Sequence, residues 1–194
     1  MLIAIVILLF SVICHEVAHG LMALKFGDDT AKRAGRLTLN PLPHIDLIGS
    51  ILVPLMGILF GGIIFGWAKP VPVDFSRLNR KATLYVSLAG VAVNFLLAIA
   101  GSLVFRWLVW QSPAASVLLL SAVWINLLLG VFNLLPIPPL DGWRIWGAWL
   151  PLRWRMVIEM NTMLFLILLL VFFRYLPILF LVRILFFVLT GIRW

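Results

Sequence analysis

The stretch "VICHEVAHGLMALKFG", residues 12–27, decides how the chain must be read. It places His15, Glu16, His19 and Cys14 inside a run that is otherwise apolar from residue 1 to 25 and long enough to cross a bilayer. An ionisable group inside a spanning helix costs about 2.5–3.5 kcal/mol on insertion scales, and such groups face the protein interior and mark function. His15, Glu16 and His19 spell H-E-x-x-H. On a helix, positions i and i+4 share a face, so both imidazoles reach one ion, and Glu16 flanks that face. Zinc takes imidazole nitrogens tetrahedrally, and a catalytic site keeps one position open for water. Glu16 is then the group that takes a proton from that water. Gly20 follows directly and allows another part of the chain, or a substrate, close approach. Cys14 points about 100° away from His15 and reads as packing.

Outward from this motif the chain stays apolar. Of 194 residues 64% are hydrophobic, with a mean hydropathy of +1.16, against roughly half in soluble domains. Six apolar segments appear, at about 1–25, 47–66, 82–110, 115–135, 156–173 and 177–191. The first half of residues 1–25 superficially resembles a signal peptide. It lacks a basic n-region and a small-residue cleavage site, so it reads as part of a retained helix. The expected fold is an all-α polytopic membrane protein forming one integral-membrane domain over 1–194. A catalytic core covers about 1–150 and a C-terminal helical pair about 156–191. The net charge of +8 does not indicate nucleic acid, because the basic residues sit in connectors between apolar runs, the pattern of loops facing anionic lipid. The single Cys14 excludes an internal disulfide.

Two histidines do not complete a metal site. The carboxylates outside the motif are Asp28, Asp29, Asp46, Asp74, Asp141 and Glu159. Asp141 stands out, lying in "NLLPIPPLDG", residues 133–142, at the end of a long apolar segment. Pro136, Pro138 and Pro139 prevent a regular helix and turn the chain inward. Gly142 relieves crowding beside the aspartate.

With these residues in hand, the chain resembles the site-2 protease family of intramembrane zinc metalloproteases. The resemblance rests on "HEVAHG" and "NLLPIPPLDG" and extends to "AGRLTLNPLPHIDLIGS" and "FGWAKPVPV", which look like the small prokaryotic branch without PDZ or CBS modules. It covers the chain to about residue 150. It implies one zinc per chain held by His15, His19 and Asp141, Glu16 as general base, and Asn133 as a residue that helps hold the substrate strand. The implied function is regulated intramembrane proteolysis of membrane-embedded protein substrates. Two departures are visible. Trp143 follows Gly142 where the family often has a second glycine, and "GVAVN" keeps Gly90 and Asn94 without the family's proline.

His44, the third histidine, has three readings: stabilising an oxyanion, orienting a ligand, or pairing locally with Asp46. Asn94 and Asn126 lie mid-segment and could simply join helices by hydrogen bonds. A metal transporter would need polar residues along a path through the membrane, whereas here they cluster on one side. An idle scaffold would be favoured by loss of Glu16 or Asp141, and both are present. The expected surroundings are lipid bilayer and transmembrane protein substrates, and the sequence is compatible with a homo-oligomer.

Topology follows from the site. His19 lies six residues before Lys25, which sets the metal about 10 Å below the interface. If the C-terminal ends of 1–25 and 115–135 meet at one metal, both run the same way and 82–110 runs oppositely. Segment 47–66, rich in glycine and holding Pro54, then begins and ends on one side, as a re-entrant element. This gives five or six transmembrane segments. The basic residues gather on the side of the site, which the positive-inside rule makes cytoplasmic, in the cell membrane. Segments 36–46 and 66–75 read as short extended strands near the active site, able to pair with an unwound substrate.

Overall fold

The computed structural model describes residues 2–46, 49, 52, 68–109, 112–172 and 177–193. The re-entrant element expected over 47–66 lies outside the described residues, apart from two isolated positions. Among the described residues the protein is all-helical. The helices are α1 (Leu2–Lys25), α2 (Thr30–Arg33), α3 (Arg80–Leu108), α4 (Pro113–Asn133), α5 (Asp141–Gly147), α6 (Leu152–Met160), α7 (Thr162–Phe172) and α8 (Ile178–Thr190).

Three of them, α1, α3 and α4, are long and apolar enough to cross a membrane. Their outer faces carry large apolar side chains such as Leu96, Leu103 and Val117, all more than 60% exposed. Their inner faces bury Ser11, His15, His19, Asn94, Ser102 and Asn126. Apolar outside and polar inside is the arrangement that hydrocarbon solvent favours, since polar groups there must find partners within the bundle. Among the described residues α7 and α8 run to eleven and thirteen residues, against the roughly 20 that a span needs. The apolar segment at 156–173 is also divided, with a turn at Asn161 separating α6 from α7.

Local chemistry explains where the helices stop. After α1, Gly27 adopts φ +93°, and the Asp28 N–H bonds the Ala23 carbonyl at 3.0 Å, a glycine-based cap that satisfies the last turn. Asn79 caps α3 by accepting from the Ala82 N–H at 2.8 Å. Ser112 caps α4, with Pro113 in the first turn, where a missing N–H costs nothing.

Cross-helix contacts fix the directions. His15 meets Asn94 while His19 meets Val86, and Phe26 stacks on Tyr85 with ring centroids 5.8 Å apart. As one number rises the other falls, so α1 and α3 are antiparallel, and the end of α1 lies beside the start of α3. Asn94 meets Asn126 and Gly101 faces Val123, so α4 runs antiparallel to α3 and parallel to α1. The main apolar core joins Ala98 of α3 and Val123, Leu127 and Val131 of α4 to Ile178, Val182 and Phe186 of α8.

The short extended strands expected at 36–46 and 66–75 do not form among the described residues. Residues 36–46 are an irregular loop with a 3-10 turn at Leu42–His44. Residues 68–74 are non-helical but unpaired, and a single backbone bond links the two stretches, from Lys69 N–H to His44 C=O at 2.9 Å. Side chains compete for the backbone donors: Thr38 Oγ1 accepts from Asn40 N–H, and Asn40 Oδ1 from Leu42 N–H. Pro41, Pro43, Pro70 and Pro72 have none to offer.

Segment 68–74 is nonetheless firmly placed along α1. The Arg36 guanidinium donates to the Lys69 and Pro70 carbonyls at 2.6 and 3.3 Å, and Val71 is buried against Gly20. The buried Asp28 carboxylate accepts from Thr30 and from Asp74 N–H. Burial pushes the Asp28 pKa up, but these hydrogen bonds outweigh it and hold the carboxyl below its usual range.

Candidate metal centre

His15 and His19 stand one above the other on the buried face of α1, with Nε2 atoms 3.0 Å apart. The third corner comes from the start of α5. Asp141 Oδ2 lies 3.0 Å from His15 Nε2 and 3.1 Å from His19 Nε2. The chain reaches this point by folding back after α4. Gly142 packs so tightly against that turn that a Cβ there would stand 2.2 Å from the Leu134 carbonyl oxygen and 2.3 Å from that of Leu135. The glycine is therefore what lets Asp141 enter. All three side chains are buried.

The far side of each imidazole reveals what the near side offers. His19 Nδ1 lies 2.7 Å from the Val86 carbonyl, which can only accept, so Nδ1 carries the proton. His15 Nδ1 lies 2.6 Å from Asn94 Oδ1. The orientation of that amide is anchored two side chains away. Asn126 Nδ2 donates to the Ala122 carbonyl at 2.9 Å and to Ser11 Oγ at 2.9 Å. This turns Asn126 Oδ1 toward Asn94 Nδ2, 3.0 Å away, and leaves Asn94 Oδ1 for the His15 Nδ1–H. Both neutral imidazoles therefore present an Nε2 lone pair to the centre.

Three acceptors thus converge on one another, and among the described residues Asp141 Oδ2 has no hydrogen-bond donor. Such an arrangement needs cations or protons between its members. A divalent cation takes the place of those protons. Two imidazoles and one carboxylate form the donor set of a catalytic zinc site with an open position, and the hydrogen-bonded Nδ1 atoms are the usual support for such ligands. Gly90 of α3 keeps room for the ion, since a Cβ there would lie 2.5 Å from His19 Nε2 and 2.7 Å from His15 Nε2. The residues present fit zinc.

Glu16 is half-buried beside this group and outside it. Its Oε2 accepts from the Val71 N–H at 2.8 Å, which fixes the carboxylate against segment 68–74. The other expected residues fall elsewhere. His44 is fully buried, with Nε2 donating to the Thr38 carbonyl at 2.9 Å and Nδ1 without a partner among the described residues. It closes the 36–44 loop and is not one of the convergent three. Asn133 donates to Leu129 of its own helix at 3.0 Å.

The relay through Asn126 and Ser11 has no sequence motif of its own. Its visible trace is the spacing of Val86, Gly90 and Asn94, three positions on one face of α3 that all address the histidines. Asn126→Leu is expected to weaken zinc binding by about 10–100-fold although it is two side chains from the ion. Asn94→Leu, which removes the acceptor of the His15 Nδ1–H itself, should weaken it at least as much. Competition with a fluorescent chelator measures both. Unchanged affinity in Asn126→Leu would reduce the relay to a link between helices.

The sequence model of peptidase family M50 matches residues 107–174. The chain is 44% identical over 154 residues to the "Putative zinc metalloprotease YwhC" of Bacillus subtilis, an overlap covering 73% of this chain and 66% of that protein. It is 36% identical over 139 residues to the "Putative zinc metalloprotease Rip2" of Mycolicibacterium smegmatis, covering 70% and 52%. With the "Putative zinc metalloprotease Rip3" of Mycobacterium tuberculosis it shares 34% over 157 residues, covering 77% and 30%. The chain thus spans less than two thirds of the length of each of these relatives. No solved structure matches it. A chain whose H-E-x-x-H helix and Pro-turned aspartate converge in this way, and whose relatives bear these names, belongs to peptidase family M50, the site-2 protease family that its motifs resemble.

Proposed function

We propose that the chain is a zinc-dependent endopeptidase that cleaves membrane-embedded protein substrates within the bilayer, the reaction of regulated intramembrane proteolysis. The observation that carries this reading is the convergence of His15 Nε2, His19 Nε2 and Asp141 Oδ2 inside a bundle of span-length helices. Zinc, when bound, supplies Lewis-acid polarisation of the scissile carbonyl and acidifies water. The chain's own residues do the rest. His15, His19 and Asp141 hold the ion. The Glu16 carboxylate accepts a proton from the attacking water and delivers it to the departing amine. The Val71 N–H fixes that carboxylate through Oε2, which leaves Oε1 to carry the proton. Asn133 and His44 stand as candidates for holding the substrate strand.

The orientation proposed is with the site toward the cytoplasmic face of the cell membrane. Lys32, Arg33, Arg77, Arg80 and Lys81 gather at the end of α1 and the start of α3, as the positive-inside rule requires. Because Lys25 and Arg80 lie on one side, residues 26–79 cross the membrane an even number of times. This supports reading 47–66 as an element that enters and leaves on the same side.

The test is reconstitution of the chain in liposomes with a single-span peptide substrate. Products cut within the apolar stretch, lost on chelation and restored by zinc, are expected. Cleavage restricted to water-soluble peptides would refute the intramembrane reading.

A further inference from the structure

Away from the metal, the side of the protein that carries the site holds a second built feature. Where α3 begins and α5 follows the end of α4, a cleft of about 250 Å³ is walled by Arg80, Thr83, Arg144 and Arg155. Beside it lies a groove of about 340 Å³ lined by Lys81, Leu84, Ile145 and Trp149. Arg80, Arg144 and Ala148 belong to both. We propose that this cleft and groove bind one anionic phospholipid, its phosphodiester among the arginines and an acyl chain along the groove.

Charge complementarity is the first argument. Among the described residues neither Arg80 nor Arg144 makes a salt bridge. The Arg80 guanidinium lies 5.4 Å from the centroid of the Trp149 ring and donates to the Ala148 carbonyl at 2.5 Å. That of Arg144 lies 4.1 Å from the centroid of the Phe75 ring. The aromatic faces hold the two cations without neutralising them. Glu159, the nearby acid of α6, is already engaged by Arg155 Nε at 2.8 Å and by the Trp143 indole N–H at 3.2 Å. The carboxylates of Asp141 and Glu16 also act on Arg144 from a distance, but among the described residues Arg80 and Arg144 keep guanidinium donors outside any salt bridge, and such planar donors suit phosphate oxygens.

Depth is the second argument. Arg80, which walls the cleft, is the first residue of a span-length helix. Trp146, Trp149 and Trp154 around it are 58%, 74% and 61% exposed. Exposed tryptophans at helix ends mark the headgroup level of a bilayer, and a basic pocket between helices at that level, beside an apolar groove, has the form of a phospholipid site. The site also reaches the metal centre through the backbone. Arg144 lies one helical turn after Asp141 on α5, so a lipid bridging Arg80 and Arg144 ties the helix of the third ligand to α3.

The purified chain in neutral detergent tests this by thermal unfolding. Phosphatidylglycerol is expected to raise the unfolding midpoint, whereas phosphatidylcholine or inorganic phosphate at equal concentration should not. Each basic group near anionic lipid contributes about a factor of five, so Arg80→Gln/Arg144→Gln should need roughly 30-fold more phosphatidylglycerol for the same shift. Lys32→Gln/Arg33→Gln removes as much charge from the same side and should respond like the parent. Thr83→Glu, which puts a negative charge in the cleft wall and keeps every arginine, should abolish the response, and it decides the matter alone if the arginine variant fails to fold. An equal response to phosphatidylcholine, or a full response in Thr83→Glu, would overturn the proposal. A full response to inorganic phosphate would assign the cleft to a soluble anion and overturn the lipid.

Discussion

Glu16→Gln protein is expected to keep its full zinc complement and to lose peptide cleavage by about 10²–10⁴-fold, the usual contribution of a general base. Binding and turnover separate because of where Glu16 stands. It lies outside the group formed by His15, His19 and Asp141, so removing its charge takes no ligand from the metal. The glutamine amide has the same size, and its oxygen can still accept from Val71 N–H, now 2.8 Å from the carboxylate. The lost property is the ability to take a proton. Zinc measured by atomic absorption beside cleavage rates in liposomes checks both halves. Parent-like cleavage in the variant would remove Glu16 from the reaction.

Gly90→Ala should be equally damaging, by the opposite route. One methyl group on α3 would stand 2.5 Å from one Nε2 and 2.7 Å from the other, closer than non-bonded atoms tolerate. Either α3 retreats, breaking the bonds from Val86 and Asn94 to the imidazoles, or the imidazoles turn away and the lone pairs diverge. Overpacking of this kind costs about 1–3 kcal/mol of stability. The larger effect falls on zinc, whose affinity should drop by more than the roughly 100-fold upper end for lost supporting residues. Gly101→Ala on the same helix is the control. Its Cβ would meet Val123 Cγ2 at 3.2 Å and the Leu119 carbonyl oxygen at 4.0 Å, away from the site, so zinc should bind as in the parent. Tight zinc binding by Gly90→Ala would mean that the ion sits elsewhere.

These two residues illustrate what a sequence can disclose. His15, Glu16 and His19 were legible because helical geometry alone sets their relation. Asp141 was legible because three prolines and Gly142 announce a turn at the end of a span. Parallel α1 and α4 with α3 between them in direction follow from bringing those two motifs together. The purpose of Gly90 was not legible, since clearance is a property of two helices and only one carries the histidines. Asn126 reads as a link between helices and is one, and its tie to His15 is hidden because its partners, Ser11 and Asn94, are 115 and 32 residues away. The expected strands failed for a local reason: in 36–46, proline and the side chains of Thr38 and Asn40 take the backbone out of sheet pairing. His44 is the histidine that stays outside the convergent group, with its Nε2 donating to the Thr38 carbonyl.

Zinc content tests the central claim most directly. The purified parent chain should hold one zinc, while His15→Ala/His19→Ala and Asp141→Ala, folded as judged by circular dichroism and size-exclusion profile, should hold almost none. Stoichiometric zinc surviving in the double histidine variant would contradict the site, and with it the proposed reaction.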